Sequence, residues 1–115
     1  MQRFVLVTLV TVLSFGVLVL GTMPGTATAE SDTTFQALRC GGCHKPDQKG
    51  AGPTLKEITQ AYAGRQDRLV RYFMGESEPV IDTGKKKMME SALKKIQAVS
   101  EEERKGLADY VLSFK

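Results

Sequence analysis

Two thiols and an imidazole fall within five consecutive residues, Cys40-Gly41-Gly42-Cys43-His44. Thiols with a two-residue spacer can add across the two vinyl groups of one porphyrin edge. The imidazole that follows is then placed to ligate the iron. Gly41 and Gly42 carry no side chains, which lets the chain turn tightly against a flat ring. C-x-x-C-H is thus the attachment pattern of a c-type haem. It predicts one covalently bound haem, with Cys40 and Cys43 as thioether donors and His44 as proximal iron ligand.

Other chemistries use parts of the same pattern. A thioredoxin-like dithiol would sit beside a βαβ unit, and no alternating strand pattern is visible. A structural zinc site takes four Cys or His ligands. The chain has two Cys and one His in all, so zinc would need a carboxylate or a second chain. A plain disulfide explains the thiols but not the adjacent His44. The concentration of both residue types in one motif favours haem attachment over these three.

The residues around the motif set the compartment and size. Arg3 supplies a positive start, residues 4–20 are apolar apart from Thr, Ser and Gly, and Ala27-Thr28-Ala29 has the small-x-small form of a cleavage site. Residues 1–29 therefore read as a secretory signal cleaved after Ala29. An uncleaved membrane anchor is the competing reading. Cleavage of the 115-residue chain leaves residues 30–115, 86 in all, as one domain with no membrane segment. A protein-only core is marginal at that size, and a buried porphyrin would supply the missing apolar volume. The formal charge is +3, one unit of it from Arg3. No basic face points to nucleic acid.

Helical spacing dominates the rest. Ser31 or Asp32 can cap a first helix that carries Phe35 and Leu38 into Cys40. Residues 45–52 read as loop. Pro53 stands at a helix start ahead of Leu55, Ile58 and Tyr62, with Gly64 as a stop. A third helix over residues 66–74 buries Leu69, Val70 and Phe73 and ends at Gly75. Residues 76–87 are the least structured, and Met89, Leu93 and Ile96 suggest a short helix. Ser100 and Glu103 form a capping box ahead of Leu107, Tyr110, Val111 and Phe114 at i, i+3, i+4, i+7. The fold class is all-α, with four or five helices and essentially no sheet. Gly106, inside the last helix, reads equally as a site of close helix approach or as a tolerated surface glycine.

On Cys40, Cys43, His44, the Gly52-Pro53-Thr54-Leu55 run, a Met ahead of the last helix and the helix over residues 100–114, the chain resembles the small bacterial monohaem class I c-type cytochromes. The resemblance spans the whole of residues 30–115. It implies that the Pro53 carbonyl accepts from the His44 ring N–H, fixing the tautomer. It also implies that the first and last helices cross with Tyr110 at the packing site, and that the protein is periplasmic or otherwise exported. With no second His, the distal ligand implied is a methionine. Met74 reads as core filler. Met88 and Met89 lie where the family places its ligand, with Met89 favoured and Met88 the alternative.

The expected function is one-electron transfer on a His/Met-ligated haem, with no enzymatic constellation. Two other readings are a five-coordinate haem that binds gases as a sensor or carrier, and the haem subunit of an exported oxidoreductase complex. Redox proteins are the expected partners. Lys85, Lys86 and Lys87 form a candidate docking patch for an acidic one, against the simpler reading of a solvated loop.

Overall fold

The computed structural model describes residues 26–115, with side chains from residue 30 onward. The secretory signal expected over residues 1–29 therefore lies outside the described residues, except for its last four positions. Five α-helices and two 3₁₀ turns make up the described chain, and no strand occurs among the described residues. No helix among them is long and apolar enough to cross a membrane.

Helix α1 (Thr26–Ala37) starts upstream of the expected cap at Ser31 or Asp32. No Gly or Pro interrupts residues 26–37, and Ala27, Ala29 and Ala37 are good helix formers, so the helix runs through the expected cap. Ser31, Thr34 and Phe35 are buried and Leu38 half-buried, an i, i+3, i+4, i+7 stripe. That stripe packs on α5 (Glu101–Val111), the most extensive helix contact in the fold.

Gly106 makes the crossing possible. A Cβ built there would lie 2.6 Å from Ser31 Oγ, so the two helices approach closely at this point. Phe35 and Tyr110, on the same two helices, meet at a tilt with ring centroids 5.1 Å apart, and Phe114 meets Tyr110 edge-on at 5.3 Å. Of the two readings of Gly106, close approach is the one the structure adopts.

Helix α2 (Leu55–Ala61) has a different cap from the one read at Pro53. Thr54 is the N-cap: its Oγ1 accepts from Glu57 N at 3.1 Å, and Glu57 Oε2 accepts from Thr54 N at 2.8 Å. Pro53 therefore precedes the helix, which leaves its carbonyl free for another partner. Helix α3 (Gln66–Phe73) buries Leu69, Tyr72 and Phe73. Met74 follows it with 40 % of its surface exposed and is not core filler. The apolar face turns inward at Phe73, and the next residue along points outward.

Residues 76–82 follow α3 and end at Asp82, in the left-handed region at φ 55°. A 3₁₀ turn (Thr83–Lys85) then feeds α4 (Lys86–Ala98). The lysine run is thus the start of a 13-residue helix rather than loop, because residues 85–98 contain neither Gly nor Pro. The tight junction between α4 and α5 is held by Arg104. Its Nε donates to Ile96 O at 3.3 Å, and Nη2 donates to Gln97 O and Val99 O at 3.0 and 2.9 Å. The guanidinium satisfies carbonyls at the C-terminus of α4 that the helix itself cannot. Ser100 and Glu103 form the expected capping box on α5.

Candidate haem site

The attachment motif opens with a 3₁₀ turn, Cys40–Gly42, entered through Arg39 at φ 57° and closed by Cys43 as its C-cap, with His44 next along the chain. The tight turn ahead of the motif is thus made at Arg39. Gly41 and Gly42 have negative φ, so their contribution is the absence of side chains. A Cβ at Gly41 would come 3.4 Å from Phe35 Cε1. Cys43 N and His44 N both donate to Cys40 O, at 3.2 and 2.9 Å. Both thiols are free, Cys40 half-buried and Cys43 exposed. Burial pushes the Cys40 thiol above its ordinary pKa.

The loop after the motif folds back over it. Gly52 N donates to Cys43 O at 3.2 Å, and Leu55 N donates to Lys45 O at 2.9 Å. This brings Pro53 O to 2.7 Å from His44 Nδ1. A carbonyl can only accept, so Nδ1 carries a hydrogen, and in the neutral ring the lone pair is then on Nε2. Gly52 closes on the imidazole as well. A Cβ there would lie 2.5 Å from Cε1 and 2.9 Å from Nδ1, so any side chain would displace the ring.

These groups open onto one cleft with about 940 Å³ of empty space, mouth included. Every residue of the buried apolar core except Leu93 and Ala108 lines it. The core is therefore a shell around this cleft. Cys40, Cys43, His44 and Pro53 share this lining with Met88 and Met89 of α4. Met88 is 64 % exposed and Met89 half-buried. Met74 is not in the lining.

Tyr62, the C-cap of α2, forms part of the wall. Its ring lines the cleft and its hydroxyl accepts from Val80 N at 3.3 Å. That bond positions the 76–82 segment, which contributes Pro79 and Ile81 to the lining. Burial raises the phenol pKa of both Tyr62 and Tyr72, so both walls stay uncharged near neutral pH. Polar groups concentrate at Asp82, Lys85 and Lys86. Lys85 pairs with Asp82 at 3.6 Å and Lys86 with Glu78 at 2.6 Å.

The donor set fits a c-type haem. It offers two free thiols in one turn, an imidazole whose Nε2 lone pair is available, and a wide apolar lining. No group of three or more His, Cys, Asp or Glu side chains suited to a metal ion forms among the described residues. Several of the supporting groups were not singled out from the sequence. The Thr54-x-x-Glu57 capping box was legible as a motif. The closure of Gly52 on His44 and the reach of Arg104 to α4 depend on contacts between distant segments and had no local signal.

An all-α shell around a cleft that presents Cys, Cys and His from one turn defines a haem protein of the class I type. The sequence model of the family described as Cytochrome c matches residues 29–115, and the chain belongs to that family. It is a small c-type cytochrome, with a c-type haem iron and haem-based electron transfer as its general function. No curated protein matches the chain.

Proposed function

We propose that the protein is an exported single-electron carrier rather than an enzyme, with one haem held by thioether bonds to Cys40 and Cys43 and ligated by His44 and Met89. The observation that carries this reading is that His44 and the Met88–Met89 pair, more than forty residues apart in the sequence, line the same apolar cleft. When bound, the haem supplies an iron that cycles between two oxidation states. This chain's residues do the rest. Pro53 O and Gly52 hold the His44 ring in one orientation and one tautomer. The apolar lining excludes water, so little reorganises when the charge changes. With an imidazole and a thioether as its protein ligands, the iron would favour the reduced state more than with two imidazoles.

Export is supported by the A-x-A site and apolar leader in the sequence. Docking of an acidic redox partner would centre on Lys87, the one lysine of the run without an ion pair among the described residues. Because Lys85 and Lys86 already face Asp82 and Glu78, the net field there is weaker than three consecutive lysines suggest. Lys87→Glu should slow reduction by an acidic partner at low salt and have no effect at high salt.

Voltammetry of the purified holoprotein, with spectra of both states and CO added to the reduced form, tests the proposal. A reversible one-electron wave, six-coordinate spectra in both states and no CO adduct are expected. Rapid CO binding by a five-coordinate reduced haem would replace this reading with a gas-binding one.

A further inference from the structure

The lining of the cleft includes two neighbouring methionines, and the helix that carries them is weakly anchored at that end. Met88 and Met89 are the third and fourth residues of α4, and both line the cleft. Consecutive residues on a helix project about 100° apart. Two neighbours reach one cleft only when it faces the gap between them, and an unbranched thioether on three rotatable bonds can then swing in from either side.

The start of α4 contrasts with those of α2 and α5. Each of the latter has a complete capping box, Thr54 with Glu57 and Ser100 with Glu103. At α4 the N-cap is Lys85, at φ −108° and ψ 18°, and no side chain caps it. The preceding 3₁₀ turn, Thr83–Lys85, is reached through the left-handed Asp82. The side-chain anchors on this first turn are the ion pairs Lys85–Asp82 and Lys86–Glu78, whose charged ends are half or more exposed except for Asp82. Such pairs hold weakly. Farther along, Leu93 and Ile96 are buried and fix the rest of the helix. A first turn with poor caps on a well-packed helix can re-wind by part of a turn without disturbing the core.

We infer that Met88 and Met89 are interchangeable distal ligands, with the half-buried Met89 bound in the resting protein and the exposed Met88 able to take its place. The inference rests on the proposed Met89 ligation. In the exchange one sulfur–iron bond breaks and another forms. No electron or proton is consumed, and the coordination number is restored. The consequence is a haem that stays six-coordinate when one thioether is lost, for example by oxidation to the sulfoxide.

Leucine replaces methionine with nearly the same volume, so the test compares wild type with Met88→Leu, Met89→Leu and the double variant as folded holoproteins. The readouts are the near-infrared sulfur-to-iron band of the ferric form and the ring-current-shifted ligand methyl resonance of the ferrous form. The band should persist in wild type and both single variants and vanish only in the double variant. The methyl resonance should move to a new position in Met89→Leu alone. Loss of the band in Met89→Leu to the level of the double variant would overturn the exchange and leave Met89 as sole ligand. Absence of the band from wild type would instead overturn the ligation reading on which the inference stands. Helical circular dichroism of each variant separates ligand loss from unfolding.

Discussion

The carbonyl oxygen of Pro53 stands 2.7 Å from Nδ1 of His44, nine residues away. The contact exists because the loop between them folds back onto the attachment turn, and because Thr54, not Pro53, caps α2. It fixes which ring nitrogen can bind iron. Gly52 reinforces it by leaving no room for the ring to move toward the loop. Gly52→Ala should therefore displace His44 and cost about 1–3 kcal/mol of holoprotein stability, the range for overpacking a tight site. A larger high-spin fraction in the ferric spectrum would accompany the loss. An unchanged spectrum and melting point would mean that the ring is not confined there.

Arg104 is the residue whose role is least visible from its type. Basic side chains on an amphipathic helix usually face water, yet Arg104 is buried and donates to Ile96, Gln97 and Val99. Arg104→Met keeps the aliphatic stem but strands those carbonyls, with an expected cost of about 2–3 kcal/mol by urea denaturation. Arg104→Lys should recover only part of it, because one ammonium cannot reproduce the planar fork. Equal stability of all three proteins would show that the carbonyls are satisfied by water.

Legibility followed how local each interaction is. The box of Ser100 and Glu103 lies within one turn, and so does that of Thr54 and Glu57, where the neighbouring Pro53 also has the form of a helix start. Met74 reads as core filler yet is exposed, because the inward face of α3 ends at Phe73 and residue type alone does not show where a face ends. Gly106 could be read two ways because its partner, Ser31, lies on the other terminal helix. The cofactor motif was the clearest element, since Cys40, Cys43 and His44 form one continuous chemical unit. The cradle around His44 was not visible in the same way, as it depends on how the loop over residues 45–52 folds.

The contact between Ser31 and Gly106 predicts a coupling. Alanine in place of glycine favours a helix by about 1 kcal/mol, but the added Cβ would meet Ser31 Oγ at 2.6 Å and Ser31 Cβ at an ordinary 3.7 Å. Removing the hydroxyl should therefore make room for the methyl. In a double-mutant cycle, Ser31→Ala with Gly106→Ala should be more stable than the sum of the single changes by about 1 kcal/mol. Simple additivity would place the helices farther apart than described.

Acid should loosen both capping boxes. A backbone N–H bond from Thr54 holds the Glu57 carboxyl below its ordinary value of 4.5, helped by Lys49, and Ser100 N does the same for Glu103. Groups depressed in the folded state bind fewer protons there than in the unfolded chain. Their stabilisation is thus complete above about pH 4.5–5 and is lost as the pH falls through the lowered values. Glu57→Gln with Glu103→Gln keeps the acceptors without the titration. The double variant should lose less stability than wild type between pH 5 and 3, approximate limits set by the ordinary glutamate range. Parallel pH profiles would assign the acid sensitivity to other groups.

The central claim is that Cys40 and Cys43 hold a haem through thioether bonds, and the mass of the denatured chain tests it most directly. Holoprotein from an exporting host is denatured in acid and extracted with organic solvent, which removes any haem held only by ligation. The chain should retain the mass of one haem, and Cys40→Ser with Cys43→Ser should abolish the increment. A bare chain mass from haem-loaded protein with both cysteines intact would contradict the claim.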